Sequence, residues 1–356
     1  MQNKLPSILR YKKHYLLHDV VAALVLTAVT VPSALALAII IGVPPVMGLY
    51  AAMVSSVAFG FLAHTRRLVV GPDSASAALL ASGALLVTQT GTAEYVNAVV
   101  VLSLLVGVLL LLFGVARFGF LADLISRPVI IGFLAGVGVQ LVVSQLPALF
   151  GLTASGDIWQ HLGAIFSQIS SINGMTSTVS ILVLGVVMTL RSTKLPGELI
   201  GLVLAVIFAL LFRVQDFGVV FVGDLPQGMP SFALPHFDIE MISVLLPSAL
   251  SIAVVVLAQS STVIRNLASE HDDDVAINRD LAALGIASIA SSLFQGFLAN
   301  GTPSRTQAAN NAGMRTQLAN VLSGVLIAAL LLSGGALFRY LPQAALAAIV
   351  CTLGFQ

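Results

Sequence analysis

Gly71-Pro72-Asp73-Ser74-Ala75-Ser76 and Gly301-Thr302-Pro303-Ser304-Arg305-Thr306 place helix breakers, small residues and hydroxyls, with one guanidinium, at matching points in the two halves of an apolar chain. In the first segment Gly71-Pro72 stops a helix, and Asp73 or Ser74 can cap a new one running through Ala75, Ala77, Ala78, Leu79 and Leu80. In the second, Ala308, Ala309, Ala312 and Gly313 continue a short helix after the break. Two half-helix N-termini aimed at one point gather N–H donors and positive dipole ends, an arrangement suited to an anion. Arg305 adds charge, and an arginine at bilayer depth is costly unless it faces a cavity or a partner. One Gly-Pro break alone is commonly a kink without a ligand, and an Asp at an N-cap is explained by capping. It is the pair in register, one member carrying an arginine, that points to a site.

The elements that hold these segments must be membrane helices. Of 356 residues, 58% are hydrophobic and 9% charged, with a mean hydropathy of +1.03, a composition foreign to water-soluble domains. Apolar runs near 20–41, 46–63, 96–116, 129–150, 176–190, 197–213, 242–264, 281–298, 317–337 and 341–356 predict spanning helices. The broken segments, roughly 70–89 and 299–314, bring the crossings to about twelve. With every crossing counted, the basic N-terminal tail, Arg66, Arg67, Arg117, Arg127, Arg191, Lys194, Arg265, Arg279 and Arg315 share one side, which is then cytoplasmic. The opposite loops, 90–95, 151–175 and 214–240, hold no Lys or Arg, although Arg213 and Arg339 lie near that face. The run Val20–Ile41 is too long for a cleaved signal and reads as the first spanning helix.

Other chemistries find little support. Ile158, Trp159, Leu162, Ile165, Phe166 and Ile169 recur at helical spacing and predict an amphipathic helix on the outer membrane surface. His271-Asp272-Asp273-Asp274 has consecutive carboxylates that point apart, which suits a solvated loop better than a metal site. The single cysteine, Cys351, excludes a disulfide framework and a cysteine metal site, and no cofactor is expected. A net charge of +1 gives no nucleic-acid signal. Six histidines fall in tails or loops with no nucleophile beside them, so an enzyme is not expected.

Several motifs in order carry a family resemblance. Thr30-Val31-Pro32-Ser33-Ala34-Leu35-Ala36, Gly42-Val43-Pro44-Pro45-Val46-Met47-Gly48-Leu49-Tyr50 and Val70-Gly71-Pro72 resemble the first three helices of the SulP family of anion transporters, called SLC26 in animals. Ser126-Arg127-Pro128-Val129-Ile130-Ile131-Gly132-Phe133-Leu134-Ala135-Gly136, Leu281-Ala282-Ala283-Leu284-Gly285-Ile286-Ala287-Ser288, Ser304-Arg305-Thr306 and Leu341-Pro342-Gln343-Ala344-Ala345 are similar to further signatures of that family.

The resemblance implies an all-α polytopic membrane protein of inverted seven-helix repeats, arranged as a core and a gate domain, with two half-helices at the midplane. Residues 1–356 would form one SulP-type transmembrane domain, with repeat one at about 15–215 and repeat two, incomplete, at about 240–356. The implied function is secondary active transport of inorganic or small organic anions, sulfate first, by an elevator-like movement in a homodimer. The chain would lie in the cell inner membrane, in contact with the lipid bilayer, multi-pass and with a cytoplasmic N-terminus. Its anion site would use Ala75, Ser76, Ser304 and Arg305, with Ser33 and Gln259 lining it from the first and eighth helices.

Three departures stand out. Many relatives carry Gln where this chain has Ser33, and many carry a carboxylate tied to proton or sodium coupling where it has Gln259. The sequence also stops at Gln356, within what should be the twelfth helix and before two more helices and a STAS domain, the mark of a fragment or a truncated remnant. Asp73, the one acid in either broken segment, is the coupling candidate, because a protonated carboxyl there would not repel the substrate. The alternatives are a same-fold nucleobase or dicarboxylate transporter, or a non-transporting membrane scaffold.

Overall fold

The structure, a computed structural model, describes residues 6–121, 127–152, 154, 158–190, 193, 196–223, 228–271, 276–333 and 339–354. In chain order its elements are α1 (Leu16–Ile41), α2 (Pro45–Leu62), β1 (Val70–Gly71), α3 (Ser74–Ala84), α4 (Ala93–Val115), α5 (Arg127–Leu149), α6 (Ile158–Ser167), α7 (Gly174–Leu190), α8 (Gly197–Leu211), α9 (Ile239–His271), α10 (Ile277–Leu293), β2 (Asn300–Gly301), α11 (Pro303–Asn311), α12 (Leu318–Ser333) and α13 (Gln343–Gly354). These follow the expected spans closely. Among the described residues α1, α2, α4, α5 and α9 are long and apolar enough to cross a bilayer by themselves. The acidic run Asp272-Asp273-Asp274 lies outside the described residues.

Two compact units emerge, each drawing on both halves of the chain: Met1–Ile131 with Met229–Ala329, and Gly132–Gly228 with Leu330–Gln356. The first unit repeats one order of elements, α1-α2-β1-α3-α4 and then α9-α10-β2-α11-α12. Within it α4 and α2 pack on α10, α1 packs on α2, and α3 touches α1, α4 and α9. A helix-ending Gly42 at φ 85° and a Pro45 in the first turn of α2 make the sharp α1–α2 corner. The buried Tyr95 hydroxyl fixes that corner by donating to the Ile41 carbonyl at 2.6 Å.

Small residues let these helices approach closely, the usual basis of packing inside a bilayer. A Cβ on Gly285 of α10 would fall 2.5 Å from the Leu111 nitrogen, and one on Gly114 of α4 would fall 2.5 Å from the Ala282 nitrogen. Both obstacles are backbone, which cannot rotate away. Gly285→Ala is therefore expected to destabilise the protein by about 1–3 kcal/mol, the usual scale of overpacking. Thermal unfolding of the purified protein in detergent measures this, and an unchanged midpoint would show that α4 and α10 separate freely.

Two buried acids in the first unit tie down turns. Asp19, in the first turn of α1, accepts the Arg315 N–H at 2.8 Å, the Thr316 N–H at 3.0 Å and the Thr316 hydroxyl at 2.6 Å. Asp280, in the first turn of α10, accepts the His64 N–H at 2.7 Å, the Thr65 N–H at 3.1 Å and the Thr65 hydroxyl. Gln317 joins the two turns by donating to the carbonyls of Thr65 at 2.8 Å and Leu68 at 2.9 Å. Asn320 donates to the same Leu68 carbonyl at 2.8 Å. The segment entering α3 and the segment leaving α11 are thus fastened to each other by satisfied polar groups.

In the second unit α7 packs on α8 and α13 packs on both. The chain at 220–222 lies along the start of α13, with Val222 N–H on the Leu341 carbonyl and Gln343 N–H on the Val220 carbonyl, each 2.9 Å. The expected amphipathic helix is α6, with Trp159 and Phe166 exposed.

Candidate functional site

The two broken segments meet. β1 and β2 pair antiparallel, with Val70 opposite Gly301 and Gly71 opposite Asn300, and Thr302 N–H extends the ladder to the Val69 carbonyl at 3.0 Å. The sequence predicts the breaks and the half-helices but not this ladder, which satisfies backbone that could not stay unpaired in hydrocarbon. It also shortens the half-helices to 11 residues in α3 and 9 in α11. Because the strands run antiparallel, α3 and α11 start from opposite ends of the same two-residue ladder.

Asp73 stands at the start of α3. Its carboxylate accepts the N–H groups of Ala75 at 3.1 Å and Ser76 at 3.4 Å. Side-chain amides reach it from α9 and β2: Gln259 Nε2 at 3.4 Å from Oδ1 and Asn300 Nδ2 at 3.3 Å from Oδ2. Asn300 also donates to Gln259 Oε1 at 2.8 Å and accepts from the Ser260 hydroxyl at 2.7 Å. Ser260 in turn receives the Gly301 N–H at 3.2 Å. All of these groups are buried.

At α11 the arrangement differs. Thr302, in the N-cap position, makes no capping bond, and its hydroxyl points to the Val69 carbonyl at 3.4 Å. Pro303 and Ser304 are exposed, whereas Arg305 is buried. The Arg305 guanidinium lies against Gly71, where a Cβ would be 2.8 Å from Nη1. Thr306 fixes the first turn of α11 by accepting the Val69 N–H at 3.0 Å.

Of the residues singled out in the sequence, Asp73, Ala75, Ser76, Gln259 and Arg305 gather around the strand pair, with Ser304 exposed in the first turn of α11. Ser33, one residue after Pro32 inside α1, turns its hydroxyl back onto the carbonyls of Val29 at 2.8 Å and Thr30 at 3.1 Å. Asn300 and Ser260 are the polar groups that sequence reasoning missed. Asn300 follows the apolar run Phe297-Leu298-Ala299, and a polar side chain in that position was itself a signal.

Comparison with known proteins agrees with this geometry. The chain is 31% identical over 343 residues to a probable sulfate transporter of Mycobacterium tuberculosis, covering 96% of this chain and 61% of that protein. It is 29% identical over 353 residues to the chloroplastic sulfate transporter 4.1 of Arabidopsis thaliana, covering 96% and 51%. The chain thus spans between half and two thirds of the length of these relatives. Its fold is similar to the transmembrane domain of a cyanobacterium bicarbonate transporter, BicA, with a TM-score of 0.88 at 21% identity over 97% of this chain and 90% of that one. It is also similar to the murine solute carrier 26 family member A9 anion transporter in the inward-facing state, with a TM-score of 0.89 at 24% identity over 98% and 61%. The model of the sulfate permease family matches residues 16–356, and with paired half-helices, a buried arginine and two units that each draw on both halves of the sequence, the chain belongs to that family of multi-pass membrane proteins.

Proposed function

We propose that this chain is the membrane part of a secondary active anion transporter with sulfate as its lead substrate, binding the anion between the N-termini of α3 and α11. The observation that supports this reading is the antiparallel β1–β2 pair, from which both half-helices start, with the Arg305 guanidinium lying against Gly71. In this reading Ala75, Ser76, Ser304 and Arg305 supply the donors, Gln259 lines the site from α9, and Ser33 lines it from α1. Sulfate is the substrate named for the relatives in Mycobacterium tuberculosis and Arabidopsis thaliana. Every residue named for the site belongs to the first unit. That unit can therefore carry a bound anion as a single body, as an elevator-like movement requires. The working form is a homodimer in the cell inner membrane with its N-terminus cytoplasmic, in keeping with the one-sided distribution of Lys and Arg. Coupling to a proton falls to Asp73, and sodium is the other candidate ion.

Uptake of labelled sulfate, bicarbonate and fumarate into proteoliposomes, with and without imposed proton and sodium gradients, tests the reading. Sulfate uptake driven by an inward proton gradient is the expected result. Uptake of fumarate alone would reassign the substrate to dicarboxylates, and absence of all flux would favour a non-transporting scaffold.

A further inference from the structure

Three buried carboxylates in the first unit accept backbone N–H groups, and their geometry is not alike. Asp19 and Asp280 each receive bonds of 2.8 Å or shorter, the length of charge-assisted hydrogen bonds. Asp73 receives five, from Ala75, Ser76, the Ser76 hydroxyl, Gln259 and Asn300, and every one is between 3.1 and 3.5 Å. Many donors point at Asp73 and none holds it closely. At the α11 end, by contrast, Thr302 makes no capping bond and Ser304 is exposed.

We infer that Asp73 is a specificity-determining residue: its carboxylate is a tethered anion that loosely fills the α3 end of the site and competes with the substrate for the N–H groups of Ala75 and Ser76. The inference rests on the anion site proposed above. A substrate anion binds first at the open α11 end beside Arg305, and it reaches the α3 donors only as Asp73 yields them. The Asp73 carboxylate carries a negative charge at the α3 end, and Coulomb repulsion grows with the charge of the incoming ion. A dianion is therefore penalised more than a monoanion. The Gln259–Asn300–Ser260 chain keeps its own bonds of 2.7 and 2.8 Å when Asp73 moves, so the site retains its shape.

The test is binding and uptake of labelled sulfate and chloride by the full chain in liposomes, for the parent, Asp73→Asn and Asp73→Ser. Both replacements can still cap α3 but carry no charge. The repulsion doubles with a doubled charge, so a gain of about threefold for chloride should accompany a gain of about tenfold for sulfate. Sulfate bound no tighter in either variant, or sulfate and chloride constants that change by the same factor, would overturn the inference while leaving the anion site standing. A parent in which neither ion binds, and in which Arg305→Ala changes nothing, would remove the anion site and this inference with it.

Discussion

Ser304→Leu should abolish transport. Ser304 is exposed in the first turn of α11, so a leucine there meets no packed core and the fold should tolerate it. In the proposed site the added bulk would stand where the anion approaches the α11 donors, and losing about 1.4 kcal/mol of binding already means tenfold in affinity. Uptake is expected to fall by more than that. Ala75→Leu probes the other half-helix, but Ala75 is 2% exposed and the larger side chain also strains α3. Uptake rates and thermal midpoints of both variants separate the two effects. Normal transport in a folded Ser304→Leu protein would place the site elsewhere.

Arg305→Ala carries the second large effect. A hydrogen bond to a charged group contributes about 1.5–3 kcal/mol, so anion affinity should drop roughly 10- to 150-fold. The guanidinium also lies against Gly71 of β1, so its removal leaves space beside the strand pair as well as removing charge. Arg305→Lys restores a point charge without the planar fork and should recover only part of the affinity. Equilibrium binding of labelled sulfate to the detergent-solubilised protein gives the ratios. Unchanged affinity in a folded Arg305→Ala protein would end its assignment to the site.

Much of this architecture could be read from residue types. Apolar runs and breakers gave the helices from α1 to α13 within a few residues, because bilayer thickness fixes helix length and Gly-Pro fixes where a helix stops. The place of Asp73, Ala75, Ser76 and Arg305 at the two breaks was legible for the same reason, since charge and helix breakers are conspicuous in a hydrophobic chain. What could not be read was pairing over long distances. Nothing in Val70-Gly71 names Asn300-Gly301 as its partner, since two residues carry too little pattern to specify a register. Asp19 and Asp280 were overlooked because an acid in the first turn of a helix is explained by the dipole alone. Their real partners are turns 296 and 216 positions distant in sequence, respectively. Asn300 was within reach, as a lone amide in an apolar run, but its bridging of Gln259 and Asp73 depends on α9 lying beside β2.

The β1–β2 ladder also sets a timetable for biosynthesis. Val70 and Gly71 enter the membrane about 230 residues before Asn300 and Gly301 exist to pair with them. At a synthesis rate of about 5–20 residues per second that is a wait of roughly 10–50 s. Through that interval the first half-helix has helix-breaking backbone and no strand to satisfy it, so it cannot adopt its final place. The nascent chain must shelter this segment at the water interface, against the insertion machinery or in a chaperone's grip, until β2 emerges. Synonymous codon changes that slow elongation between residues 116 and 300 would lengthen this exposure, and with it the fraction of chains lost to proteolysis, without altering a single atom of the finished protein.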